Sequence, residues 1–122
     1  MMAFKKSDAE PYLPMTSAMF HVLLALADGE KHGYAILKEV SARTSGKVRL
    51  SAGTLYGIIH RLLGEGLIAE SDERPDAALD DERRRYYRLT DFGRGVARAE
   101  AARMEEMLAQ ARAKKLLKPE TA

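Results

Sequence analysis

The fold is decided by residues 51–67, whose sequence is SAGTLYGIIHRLLGEGL. The apolar side chains of this stretch recur at the spacing of one helix face, at Leu55, Ile58, Ile59, Leu62 and Leu63. Ser51 can cap the start of this helix, and Gly64 or Gly66 can end it. Instead of the glutamate and lysine usual at a solvated surface, the opposite face carries Gly53, Tyr56, Gly57, His60 and Gly64. Because glycine inside a helix costs about 1 kcal/mol relative to alanine, this face is predicted to approach something bulky, such as the groove of DNA.

Length and composition bound the class of protein. The 122 residues suit one domain with at most an extension, and the hydrophobic content of 46% is enough for a small core. The absence of cysteine excludes disulfides and thiolate chemistry and fits a cytoplasmic protein. No apolar run is long enough to span a bilayer, and residues 1–14 have no apolar signal segment. Because they carry two adjacent lysines and prolines at positions 11 and 14, they are predicted to form a flexible arm.

Positive charge is concentrated around the central helix. Residues 31–61 contain six lysines and arginines against one acid, a local balance of +5, whereas the whole chain carries only +2. A solvated face is the commoner explanation for a charge cluster taken alone. Its coincidence with the glycine-lined helix face favours a surface that binds phosphate.

Two more helices are predicted before the central one. The first begins at Thr16 or Ser17 and ends near Asp28, before Gly29; the second begins at residues 32–34 and ends at residues 44–46. The alternating residues 47–50, KVRL, predict a short strand. Two helices joined by a short connection, of which the second exposes small polar residues, constitute a helix-turn-helix.

A β-hairpin, or wing, is predicted after the central helix. Residues 67–70 and 85–89 have the composition of strands, and the segment between them is polar and rich in turn residues. Arg83, Arg84 and Arg85 lie where the wing would meet the DNA backbone. Residues 70–82 hold seven acids and one base, so the tip should be repelled by phosphate and only its arginine end should touch DNA.

The last helix is predicted to begin after Thr90 and to continue to about Leu117. Its apolar residues recur at roughly heptad spacing. Because such a helix is too long to bury its stripe on a small domain, a second copy of the chain is its simplest partner; the alternative is a helix that folds back on its own core. The predicted divisions are a winged-helix domain over residues 15–90, a dimerisation helix over 91–118 and a frayed tail over 119–122.

Three groups of residues carry a resemblance to a known family. They are His32-Gly33-Tyr34, the GTLY run of residues 53–56 with HRLLGEGLI after it, and RRYYRLT at residues 84–90 followed by FGR. In this order and spacing, the chain resembles the PadR-like family of winged-helix transcriptional regulators over about residues 12–115. The resemblance implies a mainly α fold with a small β-hairpin wing, in the smaller subtype with one C-terminal helix. Many members have a proline where this chain has Gly57.

The resemblance also implies a function: a dimeric repressor whose second and third helices dock in the major groove of double-stranded DNA. The expected operator is pseudo-palindromic. The DNA contacts are expected from Tyr34, Lys38, Arg49, Ser51, Thr54, Tyr56, His60 and Arg61, together with the three wing arginines. The dimer surface is expected to include Met15, Met19, Phe20, Val96, Met104, Met107, Leu108 and Ala111. Family members often respond to small hydrophobic effectors, and this surface is either an effector site or ordinary dimer core.

Other functional classes are less well supported by the sequence. No glycine-rich phosphate loop and no serine–histidine–aspartate set is present, and His21, His32 and His60 lack the spacing of a metalloprotease, so neither an enzyme nor a cofactor is expected. A regulator that binds a metal through a histidine and wing carboxylates is one alternative. A winged-helix module that binds protein is the other.

Overall fold

The computed structural model describes residues 4–71 and 85–119. The helices are α1 (Lys6–Ala9), α2 (Ser17–Leu26), α3 (Gly33–Arg43), α4 (Ala52–Gly64) and α5 (Asp91–Ala113), with a 3-10 turn at Glu10–Tyr12. The strands are β1 (Lys31–His32), β2 (Ile68–Glu70) and β3 (Tyr86–Leu89). This mainly helical architecture with a small antiparallel sheet confirms the predicted fold class.

The main helices begin where the sequence predicts. The side chain of the capping residue accepts a hydrogen bond from a first-turn backbone N–H in each case, at Thr16 (3.1 Å), His32 (3.1 Å), Ser51 (3.1 Å) and Thr90 (2.9 Å). Gly29 and Gly66, which follow α2 and α4, have positive φ angles of 149° and 76°. Glycine adopts this backbone conformation without strain, so both chain reversals are encoded locally.

The core lies between α2, α3, α4 and one face of the sheet. Leu55, Ile59 and Leu62 of α4 are fully buried, as the helical spacing predicts. They pack with Leu23 of α2 and Ile36 of α3, both also fully buried. Burying a side chain of this size stabilises the fold by about 1.5–3 kcal/mol. The centre of the apolar stripe of α4 is therefore buried in the domain, Ile58 and Leu63 at its margins are partly buried, and the opposite face points outward.

The sheet has the order β1-β3-β2, with both neighbours antiparallel to β3. The prediction of a strand at residues 47–50 is wrong, because these residues form an irregular connection between α3 and α4. The Thr44 hydroxyl explains this: it donates to the Val40 carbonyl at 2.8 Å and accepts from the Val48 N–H at 3.0 Å, which ties the connection to the end of α3. The second edge of β3 is taken instead by β1, a strand that the sequence did not predict.

Residues 4–14 are packed against α5 rather than extended as the predicted flexible arm. Ala9 is completely buried. The Phe92 ring of α5 lies 5.9 Å from the Phe4 ring and 5.4 Å from the Tyr12 ring, measured between centroids. Aromatic contacts of this kind outweigh the local prolines and charges that suggested an arm. Residues 1–3 lie outside the described part of the chain.

Helix α5 serves two purposes along its length. Its first half folds back on the domain, where Val96 is fully buried and a side chain at Gly93 would collide with the Leu67 carbonyl. Its second half exposes Met107 and Leu108. The helix ends at Ala113, earlier than predicted, because Lys115 has a positive φ of 65° and the chain turns back on itself.

Candidate nucleic-acid interface

The glycines on the outer face of α4 are open to the surroundings within the part of the chain that the structure describes. Gly53, Gly57 and Gly64 are exposed, and a β-carbon built at any of them would meet no atom within 4 Å. The glycines are therefore not needed for close contacts within the described residues, although each lowers helix propensity. His60 and Arg61 are exposed beside them. This absence of side-chain bulk is what close approach to an external surface requires.

The first turn of α4 presents a hydroxyl donor. The Ser51 hydroxyl accepts from the Thr54 N–H and donates to Thr54 Oγ1 at 2.9 Å, so its hydrogen-bonding capacity is used in the cap. The Thr54 hydroxyl proton has no acceptor among residues 4–71 and 85–119. Both side chains are exposed. Thr54 is consequently the better placed of the two to donate to a phosphate.

Tyr56 points towards the start of α3 and not straight out from the glycine face. A β-carbon at Gly33 would lie 2.6 Å from the Tyr56 hydroxyl oxygen, so the two helices approach closely because position 33 has no side chain. Tyr56 is half-buried. Its predicted phosphate contact stays a prediction, and the structure adds a packing role between α3 and α4.

Helix α3 contributes an exposed pair one turn apart. Tyr34 retains 58% of its surface, and the Lys38 Nζ lies 5.1 Å from the centroid of its ring. The attraction between the ammonium and the ring face holds the two side chains together. Both predicted contacts therefore lie on one surface of α3.

The positive charges of residues 31–61 divide into paired and unpaired groups. Lys31 pairs with Asp28 at 2.6 Å, Arg43 pairs with Glu39, and Arg61 pairs with Glu65 at 3.1 Å. The hydrogen bond from the Lys31 ammonium holds the pKa of the Asp28 carboxyl below its ordinary value. In the part of the chain that the structure describes, no ion pair forms at Lys38, Lys47 or Arg49. These three exposed cations are the charge that remains available to an external anion.

The wing is described only at its base. Arg85 Nε lies 3.6 Å from Glu70 Oε1, so this predicted contact is partly neutralised within the chain. Arg83, Arg84 and the acidic tip lie outside the described residues. Arg88, which was not among the predicted contacts, is exposed on β3 next to the buried Tyr87. The alternation of residues 86–89 was the signal that could have placed it on the outer face.

Two residues of the predicted dimer surface belong to the core of the chain itself. Met19 is 6% exposed and Val96 is completely buried, which leaves little of either side chain for contact with a second copy of the chain. Both lie where α2 and the first half of α5 pack together, which satisfies their hydrophobic surface internally. The predicted residues that keep exposed surface are Met15, Phe20, Met104, Met107, Leu108 and Ala111.

Of the predicted effector residues, Met15 and Met19 line one cavity, and the predicted residues of α5 are not part of its lining. This cavity has a volume of about 180 Å³, and its other side is formed by Arg61 of α4 and by Glu65, the residue that follows α4. Among the residues described, no three histidine, aspartate or glutamate side chains cluster closely enough to hold a metal ion. Nor does any described helix have the length and apolarity needed to cross a membrane.

Comparison with known proteins identifies the family. A family model described as the transcriptional regulator PadR-like family matches residues 22–99. The transcriptional regulator Rv3488 of Mycobacterium tuberculosis is 37% identical over 87 residues, which cover 71% of this chain and 75% of that protein. The chain belongs to the PadR-like family of transcriptional regulators. The resemblance seen in the sequence motifs is thereby confirmed.

Solved structures support the same fold for this PadR-like chain. A PadR-like transcription factor from Bacteroides fragilis superposes with a TM-score of 0.65 at 20% identity, over 78% of this chain and 86% of that one. PadR of Bacillus subtilis, solved in complex with operator DNA, superposes with a TM-score of 0.56 at 25% identity. That match covers 66% of this chain and 44% of the Bacillus chain. The winged-helix class is thus confirmed.

Proposed function

We propose that this PadR-like chain binds double-stranded operator DNA as a homodimer and represses transcription, and that a small-molecule effector releases it. The observation that carries the proposal is the outer face of α4. Its glycines leave the helix backbone accessible without serving internal packing. The exposed cations Lys38, Lys47 and Arg49, which form no ion pair within the described residues, lie on α3 and on the connection that leads from α3 into α4.

The contacts fall into positioning and specifying groups. Lys38, Arg49 and the Thr54 hydroxyl bind backbone phosphates and set the orientation of the protein on the duplex. His60 lies on the glycine face and reaches base edges in the major groove, together with Arg61 if its pair with Glu65 opens. Tyr34 and Tyr56 add backbone contacts from the start of each helix, and the wing arginines add contacts beside the groove.

The homodimer forms through the second half of α5. Met107 and Leu108 retain 55% and 46% of their surface, and adjoining Met104 and Ala111 are partly exposed. Such a stripe on a projecting helix is covered most simply by the same stripe of a second copy. The two copies of α4, related by the dimer axis, would contact half-sites about 34 Å apart, which is one turn of DNA. PadR of Bacillus subtilis, which has a similar fold, was solved in complex with operator DNA, and this supports the proposal that the present chain binds DNA.

The proposal that an effector controls DNA binding rests only on membership of the PadR-like family. A small hydrophobic effector would bind at the dimer surface, near Met104, Met107 and Leu108. The same methionines serve equally as flexible filling of an ordinary dimer core. Location in the cytoplasm, where DNA is accessible, is part of the same proposal.

The test compares Gly57→Glu with Ala102→Glu. Gly57 lies on the α4 face and Ala102 is exposed on α5, so both variants should fold, and both add the same charge. Binding is measured on the duplex upstream of the protein's own coding sequence and on a scrambled duplex. We expect Gly57→Glu to abolish selective binding and Ala102→Glu to retain it. Equal binding by the two variants contradicts the assignment of this face, and failure of the wild-type protein to bind any DNA at low salt favours a protein-binding module.

A further inference from the structure

The cap of α3 differs chemically from the other three caps. Thr16, Ser51 and Thr90 cap their helices with hydroxyls, whereas His32 uses its imidazole, whose Nδ1 accepts from the Ala35 N–H at 3.1 Å. A backbone N–H can only donate, so the Nδ1 that faces it carries no proton. The ring proton therefore lies on Nε2, which points away from the helix. A hydroxyl cap cannot present a second donor at that distance from the backbone.

The His32 ring is fixed from several sides. Its backbone pairs with Tyr86 in the sheet, and the two rings meet edge to face with centroids 5.4 Å apart. The Tyr34 ring lies nearly parallel to it, with planes 11° apart and centroids 6.5 Å apart. No hydrogen bond from Nε2 is found within residues 4–71 and 85–119. The imidazole is thus held in one orientation with a donor that lacks an acceptor in the described chain.

The surroundings of this donor belong to the proposed DNA surface. The Tyr34 ring lies between the His32 ring and Lys38, because the Lys38 ammonium lies over the Tyr34 ring. The Tyr56 hydroxyl from the start of α4 lies beside Gly33, the next residue, where a β-carbon would collide with it. His32 therefore lies where the sheet, α3 and α4 meet, close to Lys38, which forms no ion pair within the described residues. It was not among the predicted DNA contacts.

We propose that His32 is a DNA contact: its Nε2–H donates to a backbone phosphate while its Nδ1 caps α3. The proposal rests on the proposed DNA-binding function and adds a residue to it. The ring acts as a neutral donor, because a proton on Nδ1 would remove the acceptor that the Ala35 N–H requires. A phosphate held this way is fixed relative to the α3 backbone, so the contact positions the helix pair on the duplex.

Salt affects a phosphate contact made by a neutral donor differently from a phosphate contact made by a cation. Each phosphate neutralised by a lysine or arginine releases counterions and contributes about 0.9 to the slope of log affinity against log salt. A contact from a neutral imidazole releases none. Loss of the His32 contact should thus weaken binding at every salt concentration without changing the slope, whereas loss of Lys38 should change both.

The test uses His32→Thr and His32→Ser, which keep an N-cap but have no donor at the distance of the imidazole Nε2. Thermal unfolding of both verifies that the cap and fold are retained. Affinity for the duplex upstream of the protein's own gene is measured over a salt series, with Lys38→Gln as the comparison. We expect both His32 variants to bind roughly tenfold or more weakly, the loss typical of a hydrogen bond to a charged group, with the wild-type slope.

The results that would contradict the His32 contact can be distinguished from those that would contradict DNA binding by the chain. Wild-type affinity in both His32 variants overturns the contact and leaves DNA binding by the chain intact. A slope reduced as in Lys38→Gln would show a cationic ring, which overturns the neutral-donor assignment. A wild-type protein without affinity for DNA overturns the contact and the proposed function together.

Discussion

The buried carboxylate of Glu100 accepts a hydrogen bond from the backbone N–H of Met15 at 2.9 Å, across 85 residues of sequence. Glu100 is 1% exposed, and its other oxygen accepts from Arg103 Nε one turn further along α5. A buried charge is tolerated only when it is paired and hydrogen-bonded, and here both conditions are met. The contact fastens the segment before α2 to α5, next to the part of α5 that projects from the domain.

Replacing Glu100 by alanine should destabilise the domain. The change leaves the Met15 N–H and the Arg103 guanidinium without their acceptor, and an unsatisfied group of this kind costs about 1–3 kcal/mol. The free energy of unfolding in urea measures the loss. Glu105→Ala, an exposed position on the same helix, is the matched control and should change stability by under about 0.5 kcal/mol. Equal effects of the two substitutions would contradict the structural role of Glu100.

The Glu100 contact should also make stability depend on pH. The hydrogen bond from Arg103 holds the pKa of the Glu100 carboxyl below its ordinary value of 4.5. Because the folded carboxyl resists protonation, its stabilisation is fully present above the unfolded pKa and is lost as pH falls through the lowered folded pKa. The stability difference between wild type and Glu100→Gln should therefore shrink below about pH 4.5. A difference that stays constant from pH 7 to pH 3 would argue against the ion pair.

Glycines on the open face of α4 and glycines in close internal contacts should change stability in opposite directions when they are replaced by alanine. Gly57→Ala should raise stability by up to about 1 kcal/mol, because its β-carbon meets open space and alanine favours the helix. Its affinity for DNA should nevertheless fall, since the methyl group occupies the surface that approaches the groove. Gly93→Ala should instead destabilise the fold through its collision with the Leu67 carbonyl. Thermal unfolding and DNA titration of both variants check this, and a Gly57→Ala protein with undiminished affinity would exclude close approach at Gly57.

Leu108→Glu should separate the proposed dimer while leaving each chain folded. Leu108 is 46% exposed in the single chain, so the substitution places no charge in the core. In a dimer it would bury two like charges near the symmetry axis, which is strongly unfavourable. Sedimentation should show a monomer for Leu108→Glu and a dimer for wild type and for Ala102→Glu. If Leu108→Glu remains dimeric, the partner surface lies elsewhere.

Local signals account for what the sequence predicted well. The helical spacing of Leu55, Ile59 and Leu62 and the hydroxyl caps act within a few residues, so α2, α4 and the start of α5 follow from sequence alone. The outer face of α4 was predicted for the same reason. Periodicity assigns every position to one face or the other, and glycines on the outer face stand out.

The failures arise from contacts between distant parts of the chain. Strand β1 has only two residues, and it exists because β3 lies beside it more than fifty residues later. Residues 4–15 are held in place by Phe92 and Glu100, which no local pattern connects to them. A charge such as Glu100 in a helical stripe looks solvated until its partners are known. Among the site residues, His32 was missed because its role depends on which ring nitrogen caps α3.

The most direct test of the central claim is a salt series of wild-type binding to the duplex upstream of its own gene and to a scrambled duplex of the same composition. We expect binding to the first duplex to be tighter by about 10³-fold or more, with affinity on both falling steeply as salt rises. Equal affinity for the two duplexes with little dependence on salt would contradict a regulator that reads DNA through α4.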